Sequence, residues 1–327
     1  MILLTGAAGF IGSNLLARLN AAGIADVVIC DTLGGGDKWR NLRRHEFADF
    51  VPTDALRDWL RRAPALEAVI HLGANSSTTA SDGDEVMDHN FACSLMLWRH
   101  CADAGLPFLY ASSAATYGNG DAGFLDQDTP DFLSTLQPLN LYGWSKHVFD
   151  RRVARDVEAA RPVPPRWYGL KFFNVYGPNE YHKAGMRSAV FNITEAVLRG
   201  EPARLFASDR PDIPDGGQSR DFVYVEDLCD VMLWLLRGNA PSGLYNIGSG
   251  TARSFADLAR AVFAALHRAP EIEYVPMPGT LRGRYQYWTE AEMSKLRGAG
   301  YNAPMTPLEE GVGRYVTEYL NKDDRYR

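Results

Sequence analysis

Apolar residues fall in short unbroken runs separated by stretches of helical period. Ile2-Leu3-Leu4 leads through glycines into a helical pattern over 14–22. Val27-Val28-Ile29-Cys30 stops at Asp31, and Ala68-Val69-Ile70-His71 comes next. Phe108-Leu109-Tyr110-Ala111 follows a helical stretch over 87–104, and Trp167 to Phe173 is a further run. Consecutive apolar positions, rather than alternating ones, predict strands buried on both faces. Strands alternating with helices predict βαβ units and a parallel sheet with right-handed crossovers. After residue 176 proline and glycine recur, and 207–219 reads as an exposed loop. Strands are expected at 221–225 and 244–247, and a helix at 254–267.

Composition narrows the class. At 327 residues the chain has room for two domains. Its 46% hydrophobic and 23% charged residues exclude a disordered, collagenous or coiled-coil protein. No apolar run approaches the ~20 residues of a membrane span, so no membrane partner is expected. Thr5-Gly6 interrupts the first apolar run, so no signal peptide is expected either. A net charge of −6 speaks against a nucleic-acid partner. Cys30, Cys93, Cys101 and Cys229 form no CxxC pair. They predict free thiols, no metal site and a cytoplasmic location. Of the 34 basic residues only Lys38, Lys146, Lys171, Lys183, Lys295 and Lys322 are lysine. Arginine does not deprotonate in proteins and lysine can, so these positions stand out.

Gly6-Ala7-Ala8-Gly9-Phe10-Ile11-Gly12 follows the first strand and opens a helix. Glycines there allow a tight turn and let a pyrophosphate approach the helix N-terminus. With strand, glycines and helix in order, the motif predicts a dinucleotide site. The fold class is therefore α/β: a Rossmann-like doubly wound parallel sheet with a smaller C-terminal α/β substrate lobe. Residues 1–175, with 221–250 returning, are expected to form the NAD(P)-binding domain, and 176–220 with 251–327 the lobe. Asp31 ends the second strand, where a carboxylate binds the adenosine ribose and favours NAD. Lys38 follows a Gly34-Gly35-Gly36 turn and could neutralise a 2′-phosphate, so NAD and NADP both remain open. His71-Leu72-Gly73-Ala74 and the Asn75-Ser76 that follow lie at the topological switch point, across which the cofactor is expected to run.

Tyr142-Gly143-Trp144-Ser145-Lys146 is a YxxxK spacing, which puts Tyr142 and Lys146 on one helix face. A nearby ammonium favours tyrosinate, so a phenol below its usual pKa is expected. Such a tyrosine takes a proton from a substrate hydroxyl as hydride leaves. Ser113, at the end of the strand from Phe108, would hydrogen-bond the reacting oxygen. Ser112 reads equally well as a strand-end cap.

These three segments, TGAAGFIG, SSAATYG and YGWSK, resemble the extended short-chain dehydrogenase/reductase superfamily. Within it the chain is similar to the ADP-glyceromanno-heptose 6-epimerases, bacterial enzymes of lipopolysaccharide core synthesis. The likeness is carried by residues 108–118, by Phe172-Phe173-Asn174-Val175-Tyr176-Gly177-Pro178 with His182-Lys183 and Met186, by Arg220-Asp221-Phe222-Val223-Tyr224-Val225, and by Gly283-Arg284-Tyr285-Gln286. The resemblance implies an isomerase that inverts C6 of ADP-D-glycero-D-manno-heptose through a transient C6 ketone. It implies Ser113, Tyr142, Lys146 and Lys183 as catalytic residues, with Lys183 a second acid/base. It implies Phe10, Ile11, Thr32, Lys38, Leu72, Asn75, Ser76, Asn90 and Val175, beside Gly6, Gly9, Gly12, Asp31, Gly73, Ala74, Tyr142 and Lys146, as cofactor contacts. Asn174, Leu205, Phe206, Ser208, Arg220 and Tyr285 would join Ser113 and Lys183 on the sugar nucleotide. NADP is the implied cofactor, with NAD the alternative, and the implied assembly is a homo-oligomer such as a pentamer.

The family pattern differs at Leu72, Asn75 and Trp144, and in longer segments at 119–141 and 207–219. Two other functions fit parts of the chain. A nucleotide-sugar 4-epimerase would have no evident need of Lys183. A non-catalytic cofactor-binding protein would have no need of an intact Ser113, Tyr142 and Lys146.

Overall fold

The computed structural model describes residues 1–238, 240–279 and 286–327. The described residues form the strands β1 Ile2–Thr5, β2 Val27–Asp31, β3 Asp49–Pro52, β4 Ala68–His71, β5 Phe108–Ser113, β6 Trp167–Phe172, β7 Asn174–Tyr176, β8 Ala203–Phe206, β9 Ser219–Tyr224, β10 Gly243–Ile247, β11 Ala252–Ser254 and β12 Ile272–Val275. The α-helices are α1 Phe10–Ala21, α2 Leu56–Arg61, α3 Gly83–Met87, α4 Cys93–Ala104, α5 Pro130–Thr135, α6 Leu141–Glu158, α7 Ala189–Leu198, α8 Val225–Arg237, α9 Phe255–Ala265, α10 Ser294–Gly298 and α11 Leu308–Tyr315. Among the described residues no helix is long and apolar enough to cross a membrane.

The central sheet runs β3-β2-β1-β4-β5-β6-β10 and every pair in it is parallel. Every residue of β1, β2, β4, β6 and β10 is buried. Alternate side chains of a strand point to opposite faces, so both faces of the sheet are covered. This is why these strands read as continuous apolar runs. The chain winds outward from β1 through β2 to β3, then returns to place β4 on the other side of β1. The switch point between β1 and β4 opens a crevice at the carboxyl ends of the strands.

Two apolar clusters divide the molecule. The larger spans the central sheet with α1, α4, α6 and α8, and includes Leu4, Ile29, Trp98, Phe149 and Met232. The smaller joins α7, α9 and α11 around Phe191, Leu205, Val262 and Val312. In the lobe β11-β9-β7 form a three-stranded sheet and β8 pairs with β12. Neighbouring residues of β9 divide between the clusters, Val223 facing the larger and Phe222 and Tyr224 the smaller. Residues 291–301, predicted to lie in the lobe, give Ala291, Met293, Leu296 and Tyr301 to the larger cluster instead. The cause is local: Glu292 O accepts from Asn246 Nδ2 at 3.0 Å, and Lys295 pairs with Asp128 at 2.8 Å, both at the β10 edge of the sheet.

Residues 324–327 tie the two parts together. Arg43 and Arg44 pair with Asp324, Tyr181 Oη donates to Arg325 O at 2.5 Å, and Arg327 pairs with Glu226 at 3.0 Å.

Candidate active site

A cleft of about 700 Å³ lies at the carboxyl edge of the central sheet, closed on its far side by residues 182–190. Its floor is the turn from β1 into α1. Gly6 has φ +70°, and a Cβ there would sit 2.5 Å from Gly73 N. At Gly12 a Cβ would meet Gly6 O at 2.1 Å. Both positions therefore need glycine for close packing of turn, helix and the strand beyond. Gly9 caps α1 without a side-chain partner for the helix N–H groups, and the first turn carries no acid. The cradle leaves backbone donors free for a pyrophosphate. Among the described wall residues Asp31 is the one carboxylate, against Lys38, Lys146, Lys183 and Arg187.

Asp31 is fixed by its neighbours. Ala8 N donates to Oδ2 at 2.7 Å, Thr32 N to Oδ1 at 2.7 Å, and Lys38 Nζ reaches Oδ1 at 2.5 Å. Lys38 also donates to Thr32 O at 2.8 Å. The carboxylate and the ammonium thus stand as one neutralised pair at the end of β2.

The switch-point loop is held from behind. Asn90 Oδ1 accepts from Asn75 N at 2.8 Å, and Asn90 Nδ2 donates to Asn75 O and Ser145 Oγ, each at 2.9 Å. His71 lies between Thr5 Oγ1 at 2.6 Å and Ser94 Oγ at 2.9 Å. Ser94 Oγ donates to Asn90 O, so it accepts from His71 Nε2–H and leaves Nδ1 to accept from Thr5. Burial pushes the His71 pKa down to about 3, so the ring is neutral and structural.

Tyr142 and Lys146 lie one turn apart at the start of α6, which Asn140 caps by accepting from Gly143 N at 2.8 Å. Ser113 ends β5 and faces them, within hydrogen-bonding reach of the Tyr142 phenol. Its Oγ also accepts from Ala115 N at 3.1 Å. The expected low phenol pKa is corrected here. Burial raises it, and the Ser113 hydrogen bond opposes that only in part. Burial also lowers the Lys146 pKa to about 8. Desolvation disfavours both charged forms, and it outweighs the attraction expected from the YxxxK spacing alone.

A family model described as the NAD dependent epimerase/dehydratase family matches residues 2–248. The chain belongs to this family. An ADP-L-glycero-D-manno-heptose-6-epimerase of Fusobacterium nucleatum is 46% identical to it over 335 aligned residues, covering 100% of both chains. The solved ADP-L-glycero-D-manno-heptose-6-epimerase of Helicobacter pylori is 27% identical, with a TM-score of 0.78 over 97% of this chain and 95% of that one. A Thermus thermophilus UDP-glucose 4-epimerase, solved in complex with NAD, is 28% identical, with a TM-score of 0.75 over 96% and 97%. A nicotinamide dinucleotide is the cofactor of this epimerase family, and the glycine cradle and cationic cleft fit one.

The cleft brings most of the expected residues together. Gly6, Gly9, Phe10, Ile11, Gly12, Asp31, Lys38, Leu72, Gly73, Ala74, Asn75, Ser76, Tyr142, Lys146 and Val175 line it, with Ser113, Asn174 and Lys183. Lys183 comes from the short helical turn Tyr181–Met186 and its Nζ lies 5.4 Å over the Phe10 ring. Burial lowers its pKa, and Glu180 opposes that. Ala184, the next residue, has φ +46°, a strained conformation for a residue with a Cβ.

Other expectations are placed elsewhere. Asn90 is wholly buried and spends its amide on Asn75 and Ser145, so it shapes the cofactor loop from outside the cleft. Thr32 is exposed and its hydroxyl meets Thr53 at 2.6 Å. Leu205 belongs to the core of the lobe because β8 packs inward. Phe206 follows it on the same strand, and Ser208 bonds within its own loop, to Asp215 and Arg210. Arg220 is buried over the Phe255 ring, at 5.7 Å, and that ring lines the cleft. Gly283, Arg284 and Tyr285 lie outside the described residues.

The spacing missed the layer behind Ser113, Tyr142 and Lys146. Ser112, which read as a cap, donates to Asp150 Oδ2 at 2.6 Å. Lys171 pairs with the same carboxylate at 2.8 Å. The signal was present in a lysine set inside an apolar strand of an arginine-rich chain.

Proposed function

We propose that this epimerase inverts C6 of ADP-D-glycero-D-manno-heptose to give the L-glycero epimer, with tightly held NADP. The observation that carries the reading is that Tyr142 and Lys183, from separate elements, line one cleft. The whole-length similarity to curated enzymes of that name supports it.

The bound nicotinamide supplies reversible hydride acceptance at the carbinol carbon. Tyr142 takes the proton from the C6 hydroxyl as its phenolate, a form that the Lys146 ammonium favours against the burial that opposes it, and Ser113 holds the same oxygen by a hydrogen bond. Lys146 binds the cofactor ribose and carries positive charge beside the phenol. The C6 ketone must then offer its other face, by rotation about C5–C6 or a shift of the sugar. Lys183 serves the oxygen in that second orientation, donating the proton that completes the inverted alcohol. Arg187 gives the cleft wall a guanidinium that suits a diphosphate. Lys38 supports NADP: it already cancels the Asp31 charge that would repel a 2′-phosphate. We read the assembly as a homo-oligomer and the enzyme as cytoplasmic.

The test is incubation with ADP-D-glycero-D-manno-heptose, with the C6 configuration read by NMR. The L-glycero product is expected. Unchanged substrate beside turnover of UDP-glucose would refute the reading.

A further inference from the structure

Behind Ser113, Tyr142 and Lys146 lies a cluster of buried polar side chains. Among the ion pairs of the described residues, Asp150–Lys171 has both side chains at 0% exposure. Asp150 lies one turn beyond Lys146 on α6, and Lys171 is on β6. Asp150 Oδ2 accepts from Lys171 Nζ at 2.8 Å and Ser112 Oγ at 2.6 Å, and Oδ1 accepts from Tyr110 Oη at 3.1 Å. Lys171 Nζ also donates to Thr116 Oγ1 at 2.7 Å. Thr116 in turn donates to Ser113 O at 2.8 Å. The cluster therefore clasps Ser112, the strand neighbour of Ser113, and the carbonyl of Ser113 itself to the helix that bears Tyr142 and Lys146.

A buried pair such as this gives little net stability, because desolvating two charges costs about what their attraction returns. Its use lies in specifying geometry and charge. We propose that Asp150, clamped by Lys171, is a positioning residue of the Ser113–Tyr142–Lys146 site. It fixes the end of β5 against α6, and it supplies the negative charge that holds Lys146 as an ammonium. The proposal deepens the epimerase reading above and its positioning half rests on it. Lys146 is flanked by Tyr142 and Asp150 on its own helix, Cys93 on α4 and His71 on β4; Lys171, Tyr110 and His147 stand around Asp150. Of these, Asp150 and Cys93 act to raise the Lys146 pKa against burial.

Six lysines make the direct measurement practicable. The full-length protein is labelled with carbon-13 at lysine Cε and titrated by NMR. The Lys146 signal is identified by its loss in Lys146→Arg. In Asp150→Asn the Lys146 midpoint is expected to fall by about one pH unit. In Asp150→Asn/Lys171→Met, which leaves no unpaired buried charge, it is expected between the single variant and wild type. With ADP-heptose, Asp150→Asn is expected to lose kcat at least tenfold, with KM within about twofold. A Lys146 midpoint that stays at the wild-type value overturns the counter-charge role, whatever the melting temperature does. An unchanged kcat overturns the positioning role. Should Asp150→Asn not fold, the double variant decides by the same two readouts. A wild-type protein that leaves ADP-heptose untouched refutes the functional reading, and the lysine titration still decides this one.

Discussion

Tyr142 and Lys183 carry the sharpest expectations at the scale of single residues. In the proposed reaction each moves a proton, and general acid–base groups contribute about 10²–10⁴-fold in rate. Tyr142→Phe and Lys183→Met are each expected to lose epimerisation by that order while still retaining cofactor, measured as product formed and as nicotinamide absorbance of the purified protein. Full activity in Lys183→Met would sink the two-base scheme. Lys38 pairs with Asp31 at 2.5 Å, so its removal unmasks a carboxylate at the end of β2, where the proposed reading sets the adenosine ribose. Lys38→Ala is expected to weaken NADP binding about tenfold and leave NAD binding nearly unchanged, read by competition titration.

At the scale of elements, the site is made by the ends of β1, β5 and α6, and those ends were legible. Glycine spacing after an apolar run located the β1–α1 turn, because only a close backbone approach needs glycine at both Gly6 and Gly12. Gly12→Ala would drive a Cβ to 2.1 Å from a carbonyl oxygen. It is expected to cost about 1–3 kcal/mol in denaturant unfolding and to release the cofactor. The start of α6 depends on Asn140, whose side chain accepts from Gly143 N at 2.8 Å. Asn140→Ala is expected to cost about 1 kcal/mol and to lower kcat, since the first turn it secures carries Tyr142. The packing of residues 291–301 on the larger cluster is not legible locally, because their partners, Asp128 and Asn246, lie far away in the chain.

The whole molecule adds a pH dependence that no local stretch encodes. His71 and His147 are buried, and burial lowers their pKa values to about 3 and about 4 from 6.5. The unfolded chain binds these protons first as pH falls. Their contribution is thus full above pH 6.5 and is lost as pH falls from there through about 4 for His147 and about 3 for His71, at up to about 1.4 kcal/mol per unit for each group. His147 Nδ1 has no hydrogen-bond partner among the described residues. Unfolding free energy between pH 6.5 and 5 should therefore fall less steeply in His147→Gln than in wild type. Parallel slopes would count against this assignment.

The sequence by itself determined the parallel α/β sheet, the dinucleotide turn and the YxxxK face, since each rests on short-range periodicity and on backbone conformations open to few residue types. Tertiary structure alone decided the charge states. Burial raised the Tyr142 phenol where spacing predicted a lowered one, and the fold set the Asn90 amide against Asn75 as a brace for the switch-point loop. It brought Lys183 over Phe10, and it paired Lys171 with Asp150. Desolvation and pairing depend on what the fold brings near, and those neighbours lie on other strands and helices, beyond the reach of any local pattern.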